Sequence, residues 1–154
     1  MSTPPTAPDS APDTPQHEPA VPEGFSRHTR RSPLTEPWEP LYARRDGTAV
    51  QLGLRLREAH CNSRLTAHGG LVSALADNAM GLSVVQAALA TGVEVRGAVT
   101  VSLALDFIDS AVPGEWLVVA PRVLRSGRGT AFVECHVHAD DRLVARGSAT
   151  FKVA

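Results

Sequence analysis

From His68 the chain reads His-Gly-Gly-Leu-Val-Ser-Ala-Leu-Ala-Asp-Asn-Ala-Met-Gly and continues to about Thr91 as a long apolar segment in which Asp77 is the only charged residue. A carboxylate alone among Leu, Val, Ala and Met costs several kcal/mol to desolvate. It must therefore be paired or used, which makes Asp77 the first candidate for chemistry. The segment is apolar on most of its circumference, the pattern of a buried helix, and Gly92 is a natural C-terminal stop. Such a helix needs cover on every side, which a strongly curved sheet wrapped around it would give. Its length approaches that of a membrane span. Asp77 near its middle would cost about 2.5 to 3.5 kcal/mol on insertion scales, and Asn78 and Gln86 add to that. A core helix is the expectation, with no membrane partner.

The 154 residues amount to one domain, and 43% hydrophobic with 20% charged residues is a globular balance. A net charge of -1 gives no global attraction for nucleic acid or an anionic surface, so any phosphate binding must be local. Cys61 and Cys135 lack the spacings of zinc sites and disulfide frameworks and read as free thiols. His136 and His138 share a strand face but have no third ligand of fitting spacing, so no metal is expected. No cofactor is expected either. Met1 to Pro22 has neither the basic nor the apolar region of a signal peptide, and with reduced thiols this places the protein in the cytoplasm.

Residues 1–24 are rich in Pro, Ser, Thr, Asp and Glu, a composition expected to stay disordered, and residues 25–154 form the folded domain. A basic cluster, Arg27, His28, Arg30 and Arg31, reads as a solvated linker or, alternatively, as a phosphate-binding element. Pro33 to Pro40 indicates a short helix or turn on the domain edge. A half-buried strand spans about Thr48 to Glu58, where Val50, Leu52, Leu54 and Leu56 alternate with Gln51, Gly53, Arg55 and Arg57. The helix follows, then four strands on short turns: Ala98–Ile108, Trp116–Leu124, Thr130–Ala139 and Leu143–Val153. In the first of these, Val99, Val101, Leu103, Leu105 and Phe107 alternate with Thr100, Ser102, Ala104 and Asp106. Pro121 marks an edge or a bulge in the second. The expected class is α+β, an antiparallel sheet curved around one long central helix.

That order and shape resemble the hotdog fold, and particular residues carry the resemblance further. His60-Cys-Asn62-Ser-Arg-Leu-Thr-Ala-His68-Gly69-Gly70, followed by Leu75-Ala76-Asp77 and Ala79-Met80-Gly81, resembles the signature of the PaaI-like acyl-CoA thioesterases. Gly97-Ala-Val-Thr100-Val-Ser-Leu-Ala-Leu-Asp-Phe107 and Arg125-Ser-Gly127-Arg128-Gly are similar to that family's second strand and its CoA-side turn. The resemblance implies hydrolysis of an acyl-CoA to free acid and CoA, in homodimers often paired into tetramers.

Thioester hydrolysis needs a carbonyl polariser and a group that attacks or delivers water. Gly69 and Gly70 stand where the helix begins, so unpaired N–H groups and the positive end of the helix dipole face outward, as an oxyanion hole requires. The alternative is two glycines that merely make a tight turn into a buried helix. Asp77 is the nucleophile or general base; its alternative is a buried ion pair with Arg96 or Arg122. Eight residues at about 1.5 Å each put Gly69 and Asp77 roughly 12 Å apart along the helix, too far to serve one carbonyl. Two antiparallel helices in a two-fold dimer would close the gap, each site taking Gly69 from one chain and Asp77 from the other.

Asn62 could orient water or the thioester, or simply stabilise its own loop. Thr100 matches the family position whose hydroxyl holds water beside the carboxylate; as a bare residue it is an ordinary strand threonine. His68 is a candidate base, though a helix-start hydrogen bonder is the commoner role. Arg125, Gly127 and Arg128 form a turn that could meet CoA phosphates or stay solvated. Two departures from the family bear on the acyl pocket: Leu65 stands where relatives commonly have a glycine with positive φ, so that loop is expected to differ, and the Thr91–Arg96 connection looks extended. The leading expectation is an acyl-CoA thioesterase. A hotdog protein that binds acyl-CoA without turnover comes second, and a hotdog dehydratase or hydratase third.

Overall fold

The computed structural model describes residues 20–154, so the expected tail lies outside the described residues except for its last five. Of these, Ala20 is tied to the domain: Arg55 donates to its carbonyl at 2.9 Å. Seven strands form one antiparallel sheet: β1 Ser26–Arg27, β2 Tyr42–Asp46, β3 Ala49–Arg55, β4 Ala98–Phe107, β5 Trp116–Ser126, β6 Thr130–Ala139 and β7 Arg142–Val153. Their order is β1-β2-β3-β5-β6-β7-β4, and the helix α1, Gly69–Ala90, packs on β3 to β7. This is the hotdog arrangement expected from the sequence, one long helix against one antiparallel sheet.

Alternation explains the strands. In β6 every second residue, Ala131, Val133, Cys135, Val137 and Ala139, is buried against the helix while Phe132 and His136 face out. Burial pushes the Cys135 thiol up to about 11, so it is an inert core residue. Pro121 lies where β5 has run past its pairing with β3, and a bulge between Val123 and Arg125 follows it. The Pro-spaced stretch holds a 3-10 turn, Glu36–Trp38. The short strands β1 and β2 were not expected. They carry only two and five residues, and Arg44, Arg45 and Asp46 hide the apolar alternation that would have announced β2.

Two expectations need correction. The sheet does not wrap the helix on every side. Leu71, Val72, Leu75, Ala76, Ala79, Met80, Ser83, Val84 and Ala88 are buried, whereas Ser73, Ala74, Asp77, Asn78, Leu82 and Val85 on the other side stay half-exposed. One sheet can cover only the side it faces. Nor does β4 alternate as its sequence does. Pairing with β7 shifts register between Thr100 and Ser102, leaving Val101 as the extra residue of a bulge. Ala98 and Thr100 therefore share the helix-facing side with Leu103 and Leu105, while Val99 and Val101 are 61% and 66% exposed. β4 ends the sheet order, so its outer edge is unpaired among the described residues.

Within the core the fully buried Ser83 joins helix to sheet. Its hydroxyl donates to the Ala79 carbonyl at 2.8 Å and accepts from the Val50 N–H at 2.9 Å, where β3 begins. Ser83→Ala strands that N–H in an apolar setting. It should cost about 1 to 3 kcal/mol, read as a lower denaturant midpoint at unchanged slope.

Candidate active site

Asp77 sits on the half-covered side of α1, and the β4 bulge turns Thr100 towards it. The Thr100 hydroxyl donates to Asp77 Oδ1 at 2.6 Å, which leaves the second carboxylate oxygen without a partner among the described residues. A charge-assisted bond this short fixes the carboxylate's rotamer. Among the described residues Asp77 forms no ion pair: Arg122 is bonded to Glu134 instead, at 2.7 Å. The pair opens on a cavity of about 260 Å³ whose walls include Leu82 and Val85 of α1, Leu52 of β3 and Phe151 of β7.

The start of α1 forms a different pocket, about 430 Å³, lined by His68, Gly70, Leu71, Ala74, Leu34, Trp38 and His60. His68 is the N-cap: its Nδ1 accepts from the Gly70 N–H at 2.9 Å. The Gly69 N–H, by contrast, donates to nothing among the described residues, and a Cβ at Gly69 would stand 3.3 Å from the Phe107 ring. The two glycines thus differ. Gly70 closes the cap, and Gly69 presents an open donor at the positive end of the helix. Buried His60 takes the Arg57 N–H on Nδ1 at 3.1 Å. Burial first, then the Arg57 charge, holds its ring below the ordinary histidine range, so it is neutral near pH 7.

The loop between is held by Asn62. Its Oδ1 accepts from the N–H groups of Arg64 (2.9 Å) and Thr66 (3.4 Å), and its Nδ2 donates to Thr66 Oγ1 at 2.9 Å. Its side chain thus serves the loop, an Asx-type structure. Leu65 adopts φ 57°, the left-handed conformation for which a glycine is the usual choice. The loop therefore keeps the shape that a glycine would allow, contrary to the expectation of a different one. Arg125 and Arg128 are exposed on the β5–β6 turn, which Gly127 closes by donating to the Thr130 carbonyl at 2.9 Å. That turn lines neither cavity.

Asp77 with Thr100 and Gly69 with Gly70 and His68 are thus two separate clusters on one helix. The chain brings the first pair together and does not bring the second to it. The sequence reading missed that Arg30, Arg31 and Arg96 line the Asp77 cavity. The charge run at 27–31 was the available signal, but a linker and a cavity wall look alike until the chain path is known.

A sequence model described as the thioesterase superfamily matches residues 66–145. The Pseudomonas aeruginosa protein named "Putative esterase PA0474" is 42% identical over 133 residues, covering 85% of this chain and 96% of that protein. Two solved structures share the fold. A mutant of the phenylacetic acid degradation protein PaaI from Thermus thermophilus has TM-score 0.67 at 24% identity, covering 79% of this chain and 98% of that one. A hypothetical thioesterase protein with coenzyme A from Streptococcus pneumoniae has TM-score 0.66 at 21% identity, covering 76% and 90%.

Holding Leu65 in the left-handed region costs about 1 to 2 kcal/mol, whereas a glycine there loses about 0.4 to 1 kcal/mol through its freer unfolded chain. The Leu65 side chain is 53% exposed and contributes little burial. Leu65→Gly should therefore raise the melting temperature by about 1 to 4 °C in a thermal melt.

Proposed function

The chain belongs to the thioesterase superfamily, and from that footing we propose that it is an acyl-CoA thioesterase that works as a homodimer. The observation that carries this reading is the Asp77 carboxylate, fixed by Thr100 on one oxygen and open to a cavity on the other. Water approaching the free oxygen gives its proton to Asp77 as it bonds the thioester carbon, and the carbonyl pair moves onto oxygen. A Gly69 N–H at the start of a helix stabilises that oxyanion with a donor that needs no reorganisation. When the pair returns, the C–S bond breaks and CoA leaves as a thiolate, a good leaving group for a thiol of pKa about 8.5. Direct attack by Asp77 would pass through an acyl-enzyme anhydride and use the same two groups.

Two features support a dimer as the working unit. Gly69 and Asp77 are roughly 12 Å apart along one helix, so they cannot address one carbonyl. The half-exposed side of α1 adjoins β4, whose outer edge is unpaired among the described residues. A second copy related by a two-fold axis covers both and sets its Gly69 beside Asp77. The coenzyme A in the S. pneumoniae structure of the same fold supports acyl-CoA as the ligand class. Arg125, Gly127 and Arg128 are the proposed CoA-side turn.

Thiol release from a panel of acyl-CoAs tests this reading. Asp77→Asn should fold like wild type and lose on the order of 10²- to 10⁴-fold in kcat. Acyl-CoA that binds without release in wild type would instead make the protein a binder. Gly69→Pro removes the open N–H at the first helical position, where proline is tolerated; the preceding His68 at φ -67° and ψ 127° is compatible with it, and the exposed Phe107 ring, 3.3 Å from the new Cβ, gives by a few tenths of an ångström. We expect an about 10²- to 10³-fold loss in kcat with native circular dichroism. Co-refolding the two variants decides the shared site. In a mixed dimer one site carries both changes and the other neither, so about a quarter of wild-type activity should return. No recovery would place both groups in one subunit.

A further inference from the structure

The Asp77 cavity carries more charge than thioester hydrolysis needs. Arg30 and Arg31 reach it from the segment between β1 and the Glu36–Trp38 turn, and Arg96 from the connection between α1 and β4. Against these three guanidinium groups the lining has one carboxylate, Asp77, already held by Thr100. Among the described residues none of the three guanidiniums makes an ion pair or a side-chain hydrogen bond. Guanidinium groups without an acidic partner beside a partly apolar pocket set up a positive potential there that attracts an anion. Burial holds His28 below the ordinary histidine range, with Glu39 opposing the shift and Arg30 adding to it, so His28 adds no charge near neutral pH.

Resting on the proposed thioesterase function, we infer that this cavity selects acyl groups ending in a carboxylate, with Arg30, Arg31 and Arg96 receiving that second anion of the substrate. At about 260 Å³ the cavity lies just below the roughly 300 to 1,000 Å³ of pockets that take drug-sized ligands. That suits a short dicarboxylic acyl group and neither a long chain nor the far larger CoA moiety. Leu82 and Val85 supply an apolar wall along α1 for the methylenes, and the arginines supply forked donors that match a carboxylate. Phosphate oxygens would meet the same donors. The alternative source of the anion is therefore CoA itself, and the test separates the two.

Two unhydrolysable thioethers of equal chain length, S-(5-carboxypentyl)-CoA and S-hexyl-CoA, are titrated calorimetrically into the full chain and into a variant carrying Arg30→Gln, Arg31→Gln and Arg96→Gln. All three side chains belong to exposed residues, and circular dichroism confirms the variant's fold. Wild type should bind the carboxyl compound about tenfold or more tightly, and the variant should bind both nearly alike. Equal binding by wild type, or a variant that weakens both ligands by the same factor, overturns the inference; the second result assigns the arginines to CoA phosphates. Thiol release from adipyl-CoA and hexanoyl-CoA by the same proteins separates the two readings. Release of both without preference sinks the inference and keeps the thioesterase. Discrimination between the thioethers with no release from any acyl-CoA keeps the anion site and sinks the thioesterase.

Discussion

Burial of a 22-residue apolar helix against one side of a single antiparallel sheet is the interaction on which the rest of the molecule depends. The helix donates Leu75, Ala76, Ala79, Met80 and Val84 to a core completed by Leu52, Leu54, Leu117, Val119 and Phe151, and at about 25 cal/mol per Å² this apolar contact dominates the gain on folding. Ser83 adds a polar tie that fixes where β3 begins relative to the helix. Because a sheet covers only the side it faces, the remaining side is left partly open. That is where a carboxylate can keep contact with water instead of being fully desolvated, and Asp77 is there.

The bulge at Val101 turns this packing into a candidate site. Without the extra residue, Thr100 would point away from the helix with Ser102, because a one-residue shift moves every side chain of a strand to the other face. With it, a hydroxyl and a carboxylate 23 positions apart in sequence are 2.6 Å apart. At the helix start the logic is local instead. His68 caps through Gly70, Asn62 braces the preceding loop and Leu65 accepts an unfavourable backbone conformation, all of which hold the turn that leaves the Gly69 N–H free. The side chains of His68 and Asn62 are thereby engaged in shaping the backbone, and the donor left open at the helix start is a main-chain group.

Much of this was legible in the sequence, and which parts were follows from the range of the interactions. The helix, the four long strands after it and their turns were readable because each is written in a local period, 3.6 or 2, with Gly, Pro or Asp at the breaks. Asp77 stood out because a lone charge in an apolar run has a desolvation cost that composition alone reveals. Gly69 was readable as a donor from the vacancy rule for the first turn of any helix. β1 and β2 were not readable, since short strands carrying Arg44, Arg45 and Asp46 lack the apolar alternation of the others.

The sequence by itself determined the helix and the long strands, the lone carboxylate and the open helix start, since each depends on neighbours within a few residues. Only the tertiary structure decided three things: that Thr100 faces Asp77, that the helix has an uncovered side, and that Arg30, Arg31 and Arg96 line one cavity. Each depends on where distant segments are brought by strand register and chain path. A bulge, a sheet edge and a connecting segment leave no periodic trace, and their positions are fixed by the packing of the whole domain.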